Sequence, residues 1–513
     1  MIFSKINRFI NSKFQINQEN YLIWLFCLYV ANHGWILFIL NAIFWDDWTL
    51  YGLSSNLITE TFEQQGSVFN INALIHNNFL IVGPWFYRVL TFFMFFGSGL
   101  ALNEILKKYS FIKFESRFII VLFFLILPFY SARVALIVMP YTLSIFLFFT
   151  AWAMLEKHRF PAIVFFFISF NTNSLLVFYA LPFLDLFFRT NSKITIVNLI
   201  KFCIKNIFLV LLPFLYFFIE VYAYPPKDLF EGYNQNYALA NLVISPIYMF
   251  WNWIKLEINI FVFFVFFVFF SFFQIFNTLS KNLSQEKFNI FFIFLGLSIF
   301  ILGGFAYWIL GHTPIFNDWN SRHQLLLPLG TSIILLSIIL ASRPNFREPL
   351  LITFLSISLF LNVNSYKDFY IDWKKQNYLA HELSLSEDIK KSDIVVFHDE
   401  TSKFNSYGRN YRNYEWNGLL FKAFNDEKRF GVDMNDFQKL IDGSLYEGLI
   451  FQADKFRASE FEINKELNVI EVKIKSAIVD SSISEKLSFF DPQIKLEIIN
   501  ADKLFIDAYN DRP

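Results

Sequence analysis

The sequence predicts an all-α polytopic membrane bundle of about eleven transmembrane helices, with a small α+β soluble domain at the C-terminus. Three observations carry this. Apolar runs of about 20 residues recur from Tyr21 to Ser365, long enough to cross hydrocarbon as helices. Lysine and arginine fall on alternate connections between those runs. Beyond Ser365 the long apolar runs stop and Lys, Asp, Glu and Asn become frequent, so residues 366–513 read as a soluble domain following a membrane domain of residues 1–365.

The chain is 55% hydrophobic over 513 residues, with 72 phenylalanines. A soluble chain of that length would divide into several domains. Backbone groups in lipid must be paired within their own segment, so runs of this kind are helices and not open strands. In order they lie at 21–43, 79–102, 118–131, 136–155, 160–170, 174–188, 206–224, 258–276, 289–310, 324–341 and 349–365. The third and fifth are short and need partner helices or an incomplete crossing. The run from Phe261 to Phe273 is low-complexity lipid contact. Lys5, Arg8 and Lys13 precede the first run, and no small-residue cleavage site follows it, so it reads as a retained signal anchor. In the soluble domain, alternation marks strands at Asn468 to Lys475 and Ile494 to Ile499, and an apolar strand runs from Ile394 to Phe397.

The net charge is zero and no basic stripe suggests nucleic acid. The two cysteines, Cys27 and Cys203, both precede the soluble domain and form no metal-ligand spacing. One set of connections holds Lys5, Arg8, Lys13, Lys107, Lys108, Lys113, Arg117, Lys157, Arg159, Arg189, Lys193, Lys201, Lys205, Lys281, Lys287, Arg343 and Arg347. The opposite set holds only Arg133, Lys227, Lys255 and Arg322. The positive-inside rule makes the first set cytoplasmic. An odd number of crossings then leaves the N-terminus in the cytoplasm and the C-terminal domain outside. The loop from Trp45 to Asn78, without a single Lys or Arg, fits the outer face.

Four features of that outer face carry chemistry. The first is Phe44-Trp45-Asp46-Asp47-Trp48, directly after the first run. Adjacent carboxylates at an apolar boundary repel, which is expected to raise the pKa of one. Such a carboxylate can take a proton from an acceptor hydroxyl. Trp45 and Trp48 read as interfacial anchors or as a stacking surface for a sugar. The bland alternative is a helix-capping pair in an ordinary loop. The second is Phe316-Asn317-Asp318-Trp319-Asn320-Ser321-Arg322-His323-Gln324. Arg322 and His323 defy the positive-inside bias and suit a phosphate, which guanidinium binds with two hydrogen bonds. A snorkelling Arg beside a surface His is the alternative. The third is Arg133 in Pro128-Phe129-Tyr130-Ser131-Ala132-Arg133, with Arg88 inside the second run. An Arg in an apolar helix needs an anionic partner. Asp46, Asp47 and a bound phosphate are the candidates, and a structural ion pair fits equally. The fourth is Phe170-Asn171-Thr172-Asn173-Ser174, a polar break that is either an outer turn or a cavity lining.

Weaker signals are the loop from Tyr224 to Pro246 with Glu231 and Tyr233, and the stretch Ile247 to Ile258. The latter, with Trp251, Trp253, Lys255 and Glu257, reads as an interfacial helix. His398-Asp399-Glu400 is a carboxylate cluster at a strand end, but no second ligand set follows it, and it reads as a surface loop.

This pattern resembles the GT-C superfamily of membrane glycosyltransferases, with Asp46-Asp47 in the place of that family's acidic pair in the first outer loop. The closely spaced runs from Phe118 to Phe188 are similar to its short helices, and a soluble outer domain at the C-terminus is common there. The likeness covers residues 20–365. It implies an inverting transfer from a polyprenyl-phosphate-linked sugar to a glycan or lipid acceptor at the outer face of a bacterial inner (plasma) membrane. Asp46 or Asp47 would be the base, and Arg322, His323, Arg133 and Arg88 would hold the lipid phosphate. Trp45, Trp48, Asn171, Asn173 and Asp318 would line the acceptor side. Some members use a divalent metal at the acidic site and others do not. An O-antigen polymerase or ligase is the nearest rival, and a transporter the rival of another class. The former depends on Arg and His in outer loops; the latter is expected to show broken helices and an internal repeat.

Overall fold

A computed structural model describes residues 19–190, 195–232, 237–255, 259–272, 283, 289–316, 318–441, 468–476 and 494–500. Lys5, Arg8, Lys13, Lys193, Tyr233, Glu257, Phe273, Lys281, Lys287 and Asn317 lie outside these. The chain forms two compact units. The first comprises residues 1–40, 55–134 and 138–363; the second comprises 41–54, 135–137 and 364–513.

The first unit is helical. Tyr21–Phe38, Pro84–Leu106, Ile290–Trp308 and Pro344–Ser384 are long and apolar enough to cross a membrane. The helices Ile196–Lys205 and Ile207–Ala223 pass the same test jointly but are bent by 71°. That makes four such spans, or five, among the described residues, against about eleven apolar runs in the sequence. These helices indicate membrane association.

The difference has local causes. Proline and glycine divide several runs. The second run begins at Pro84 because Gly83, at φ 114°, separates it from the helix Ile71–Val82. The third is the 13-residue helix Phe114–Ile126, and Leu127, before Pro128, turns to extended ψ 136°. Leu327–Ala341 has 15 residues and spans roughly 22 Å at 1.5 Å per residue. Residues 45–78, read from sequence as a loop, contain the helix Ser55–Gln64 and most of the helix Ile71–Val82.

Every residue from Phe118 to Ile126 is buried, as expected of a short helix apolar all round. It packs against Tyr21–His33, Pro84–Leu106 and Leu327–Ala341. Leu327–Ala341 in turn packs on Ile290–Trp308, and there small residues permit close approach. A Cβ on Gly330 would lie 2.6 Å from Phe300 Cα and 2.8 Å from the Gly296 carbonyl oxygen.

The second unit is α+β. Its sheet has the order β2-β1-β3-β4, with β1 Ile394–Asp399, β2 Phe430–Asp433, β3 Val469–Ser476 and β4 Ile494–Asn500. β1 lies parallel to β2 and β3, and β3 is antiparallel to β4. The three strands read from sequence are thus present. The helix Pro344–Ser384 carries the chain into this unit, well beyond the expected end at Ser365. Tyr366, Phe369, Asp372, Lys375, Gln376, Leu379, Ala380 and Leu383 are its buried residues there, at three- and four-residue spacing.

Three of those buried positions, Asp372, Lys375 and Gln376, are polar, and the first two hold the loop that follows β1. Lys375 Nζ donates to Asp399 Oδ2 at 2.6 Å, Asn405 Oδ1 at 2.7 Å and the Thr401 carbonyl at 3.2 Å. Asp372 accepts from the Ser406 amide at 2.8 Å and from the Tyr411 hydroxyl. Asp399 is therefore not part of a surface loop, although His398 and Glu400 beside it are about half exposed.

Two outcomes follow for stability. Gly330→Ala should force the helices Ile290–Trp308 and Leu327–Ala341 apart, lowering stability by about 1–3 kcal/mol. A reduced thermal unfolding midpoint of the full-length protein in detergent would register it. Burial by itself would raise the Asp399 carboxyl, but Lys375 and Thr401 hold it below its ordinary value. Its contribution is complete above the unfolded carboxylate value of about 3.9 and is lost as pH falls through the lower folded value. Amide-exchange protection of residues 399–412 should therefore persist at pH 5 and fall only below about pH 4.

Candidate functional site

The acidic pair lies in the second unit, in a short 3-10 turn, Trp45–Thr49. Its two carboxylates do different things. Asp47 is fully buried. Its Oδ2 accepts the Phe44 amide at 3.2 Å and its Oδ1 accepts the Ile137 amide at 2.9 Å. A carboxylate so enclosed is held by backbone donors and fastens residues 135–137 to the turn. Asp46 is only partly buried. Its Oδ1 accepts the Tyr414 hydroxyl at 3.0 Å. Burial first, then the nearby Asp46 charge, pushes the Tyr414 hydroxyl above its ordinary value, so it stays protonated and donates. Asp46 is the member of the pair that presents a carboxylate.

The turn is built by packing. Trp45 adopts φ 52°, a left-handed conformation costly for a bulky side chain. Its ring is wedged edge-on against Phe369 at 5.2 Å and stacks at 6.5 Å on Tyr407, with the Arg409 guanidinium 5.9 Å from its centroid. Arg409 is itself forked onto Glu415. Trp48 lies on the helix Asn413–Phe424 at Gly418, where a Cβ would come 2.7 Å from Trp48 Cδ2. Both tryptophans are thus packed within the unit and neither serves as an interfacial anchor. Tyr407, Arg409, Tyr414 and Glu415 were not singled out by sequence. They follow the carboxyl end of β1, where loops of parallel sheets commonly carry binding residues.

In the first unit, three sequence features converge. The turn Ser131–Val134 docks on the turn Trp319–Gln324. Ser321 Oγ accepts the Ala132 amide at 2.8 Å and lies 3.0 Å from Ser131 Oγ. Arg322 stacks on Trp319 at 4.4 Å and donates to the Trp319 carbonyl at 3.2 Å. His323 stacks on His312, with centroids 4.5 Å apart and planes at 12°. Its ring also faces Tyr307, whose hydroxyl bonds Ser174 Oγ at 2.9 Å, at the end of the Asn171–Asn173 break. Burial, reinforced by Arg322, lowers both histidines below their ordinary value, and the proximity of His312 lowers His323 further. Arg322 is then the fixed charge of the group. His323 Nδ1 is buried without a hydrogen-bond partner among the described residues.

Arg133 is 3% exposed. Its guanidinium lies 4.6 Å over Phe95, and Nη2 is 3.3 Å from His33 Nε2. That nitrogen is also 2.9 Å from the Leu125 carbonyl, a contact requiring a proton there, so it offers Arg133 no lone pair. Nε and Nη1 have no hydrogen-bond partner among the described residues. Arg88, also buried, donates to the Leu40 carbonyl at 2.8 Å. Asn171 is bonded to Asn72, Asn173 to Glu220, and Asp318 caps the Trp319 amide. These three are occupied in holding local structure. His312 and Tyr307 escaped the sequence reading. Two histidines in one connection between apolar runs, His312 and His323, were the available signal.

A divalent metal does not fit the acidic pair. Both Asp47 oxygens accept backbone amides, and among the described residues no group of three His, Cys, Asp or Glu side chains is arranged to hold an ion. The division of labour within the pair has a direct check. Asp47→Asn replaces one acceptor by a donor facing a backbone amide and should cost about 1–3 kcal/mol. Asp46→Asn should leave the thermal unfolding midpoint within the scatter of the parent protein. No protein-family model matches this chain, and no curated protein or solved structure matches it.

Proposed function

We propose that this protein is an inverting membrane glycosyltransferase of the GT-C kind, moving a sugar from a polyprenyl-phosphate donor to a glycan or lipid acceptor. The observation that carries the reading is Asp46: a partly open carboxylate just after the first apolar helix, oriented by the Tyr414 hydroxyl. In the proposed reaction the acceptor hydroxyl gives its proton to Asp46 as its oxygen attacks the anomeric carbon. The bond from that carbon to the phosphate oxygen breaks, the polyprenyl phosphate leaves with the electron pair, and the configuration inverts.

The leaving phosphate is anionic and calls for cations, not for a strong acid. Arg322 with His323 and His312 supplies one cationic group, and Arg133 supplies a second, desolvated one. A buried guanidinium without a carboxylate is expensive unless an anion joins it. We further infer about eleven crossings in a bacterial inner membrane, N-terminus inside and residues 366–513 outside, from the Lys and Arg asymmetry. A polymerase or ligase acting on lipid-linked glycans draws on the same Arg322 and His323 group and dispenses with Asp46.

A cell-free assay with defined polyprenyl-phosphate sugars separates these. Asp46→Asn should abolish transfer, a loss of at least about 100-fold expected for a general base. Arg322→Ala should raise the donor concentration needed for half-maximal rate. Wild-type turnover of Asp46→Asn, with loss in Arg322→Ala, would replace the first reading by the second.

A further inference from the structure

The helix Ile196–Lys205 presents three distinct arcs. One, containing the buried Phe202, packs on Phe183 and Phe187 with centroids 5.2 and 5.3 Å away. The second is apolar yet uncovered: Ile196, Val197, Ile200 and Ile204, between 53% and 78% exposed, recur at the three- and four-residue spacing of a single face. The third lies between these and carries Lys201 and Lys205, one turn apart and exposed.

The next helix, Ile207–Ala223, turns away by 71° and exposes Phe208, Leu211, Phe214, Leu215 and Phe218. An apolar helix with an uncovered aromatic and aliphatic surface suits acyl chains. A helix bent sharply from it, with an apolar stripe beside a basic edge, suits the boundary where acyl chains meet headgroups. The elbow is pinned. Asn206 at the bend accepts from the Arg159 guanidinium and donates to the Phe202 carbonyl at 2.8 Å, and Thr195 caps the first turn through the Asn198 amide at 3.2 Å. No Asp or Glu occurs from Thr195 to Ile219.

We propose that Ile196–Lys205 lies in the plane of the membrane and binds anionic phospholipid headgroups. Its isoleucine stripe enters the upper acyl region. Lys201, Lys205 and Arg159 meet the phosphates. Charge complementarity selects this occupant, because the exposed apolar face is bordered by lysines with no carboxylate on the same helix.

The test uses full-length protein in lipid nanodiscs. Ile200→Cys, on a Cys27→Ser, Cys203→Ser background, is labelled with an environment-sensitive fluorophore. Quenching strongest with bromines near the headgroup end of the acyl chain is expected. Quenching strongest with deep bromines would mean a broken crossing, and quenching by aqueous iodide alone would mean a solvated helix; either overturns the proposal. Separately, phosphatidylglycerol should be retained over phosphatidylcholine in detergent, and Lys201→Gln and Lys205→Gln should each weaken that preference about five-fold. An unchanged preference in the double variant would overturn the headgroup assignment.

Discussion

A carboxylate that cannot be hydrated must be answered by donors on the chain, and Asp47 is answered by two backbone amides drawn from residues 44 and 137. Removing a charge from water is costly, so this arrangement persists only while both donors remain in position. The demand is thus passed to the backbone on either side, and it ties residues 135–137 to the turn at Asp47, both of which group with residues 364–513. On either side of the acidic pair, Trp48 packs against Gly418 and Trp45 against Phe369 and Tyr407. Asp46, partly open beside Asp47, inherits a defined position from this buried neighbour.

The first unit is organised by a complementary imbalance. Its apolar helices approach closely where Gly296, Gly303 and Gly330 leave room, and cationic or neutral rings collect where turns replace helix. Arg133 has an aromatic face and a protonated histidine nitrogen for company, and Arg322 has Trp319 and two histidines made less basic by burial. Such surroundings favour cations weakly and anions strongly. They differ in kind from the region of Asp185, whose carboxylate is fully engaged by Arg189, Trp152 and Tyr109.

What could be read from the sequence divides along physical lines. Hydrophobic run length and strand alternation are local, and the long apolar helices and the strands β1, β3 and β4 were legible, whereas the acidic pair and the Arg322 and His323 element stood out by residue type alone, without their partners. Helix ends were less so, because Gly83, Pro128 and a 71° bend interrupt runs that look continuous in composition. The extension of Pro344–Ser384 was concealed by Asp372, Lys375 and Gln376: an amphipathic stripe whose buried side is partly polar does not register as apolar. The partners Tyr414, Arg409 and His312 arise only from tertiary contact, since nothing within a few residues of each signals which ring or carboxylate it will meet.

The loop from Asp399 to Asn405 gathers a carboxylate, a backbone carbonyl and an amide oxygen around the Lys375 ammonium. Oxygen donors of this sort are what hard divalent cations take. Here the positive charge is covalently tethered and arrives with folding itself. The order of this loop consequently rests on the Lys375 ammonium, which does for these oxygens what a bound ion would otherwise do.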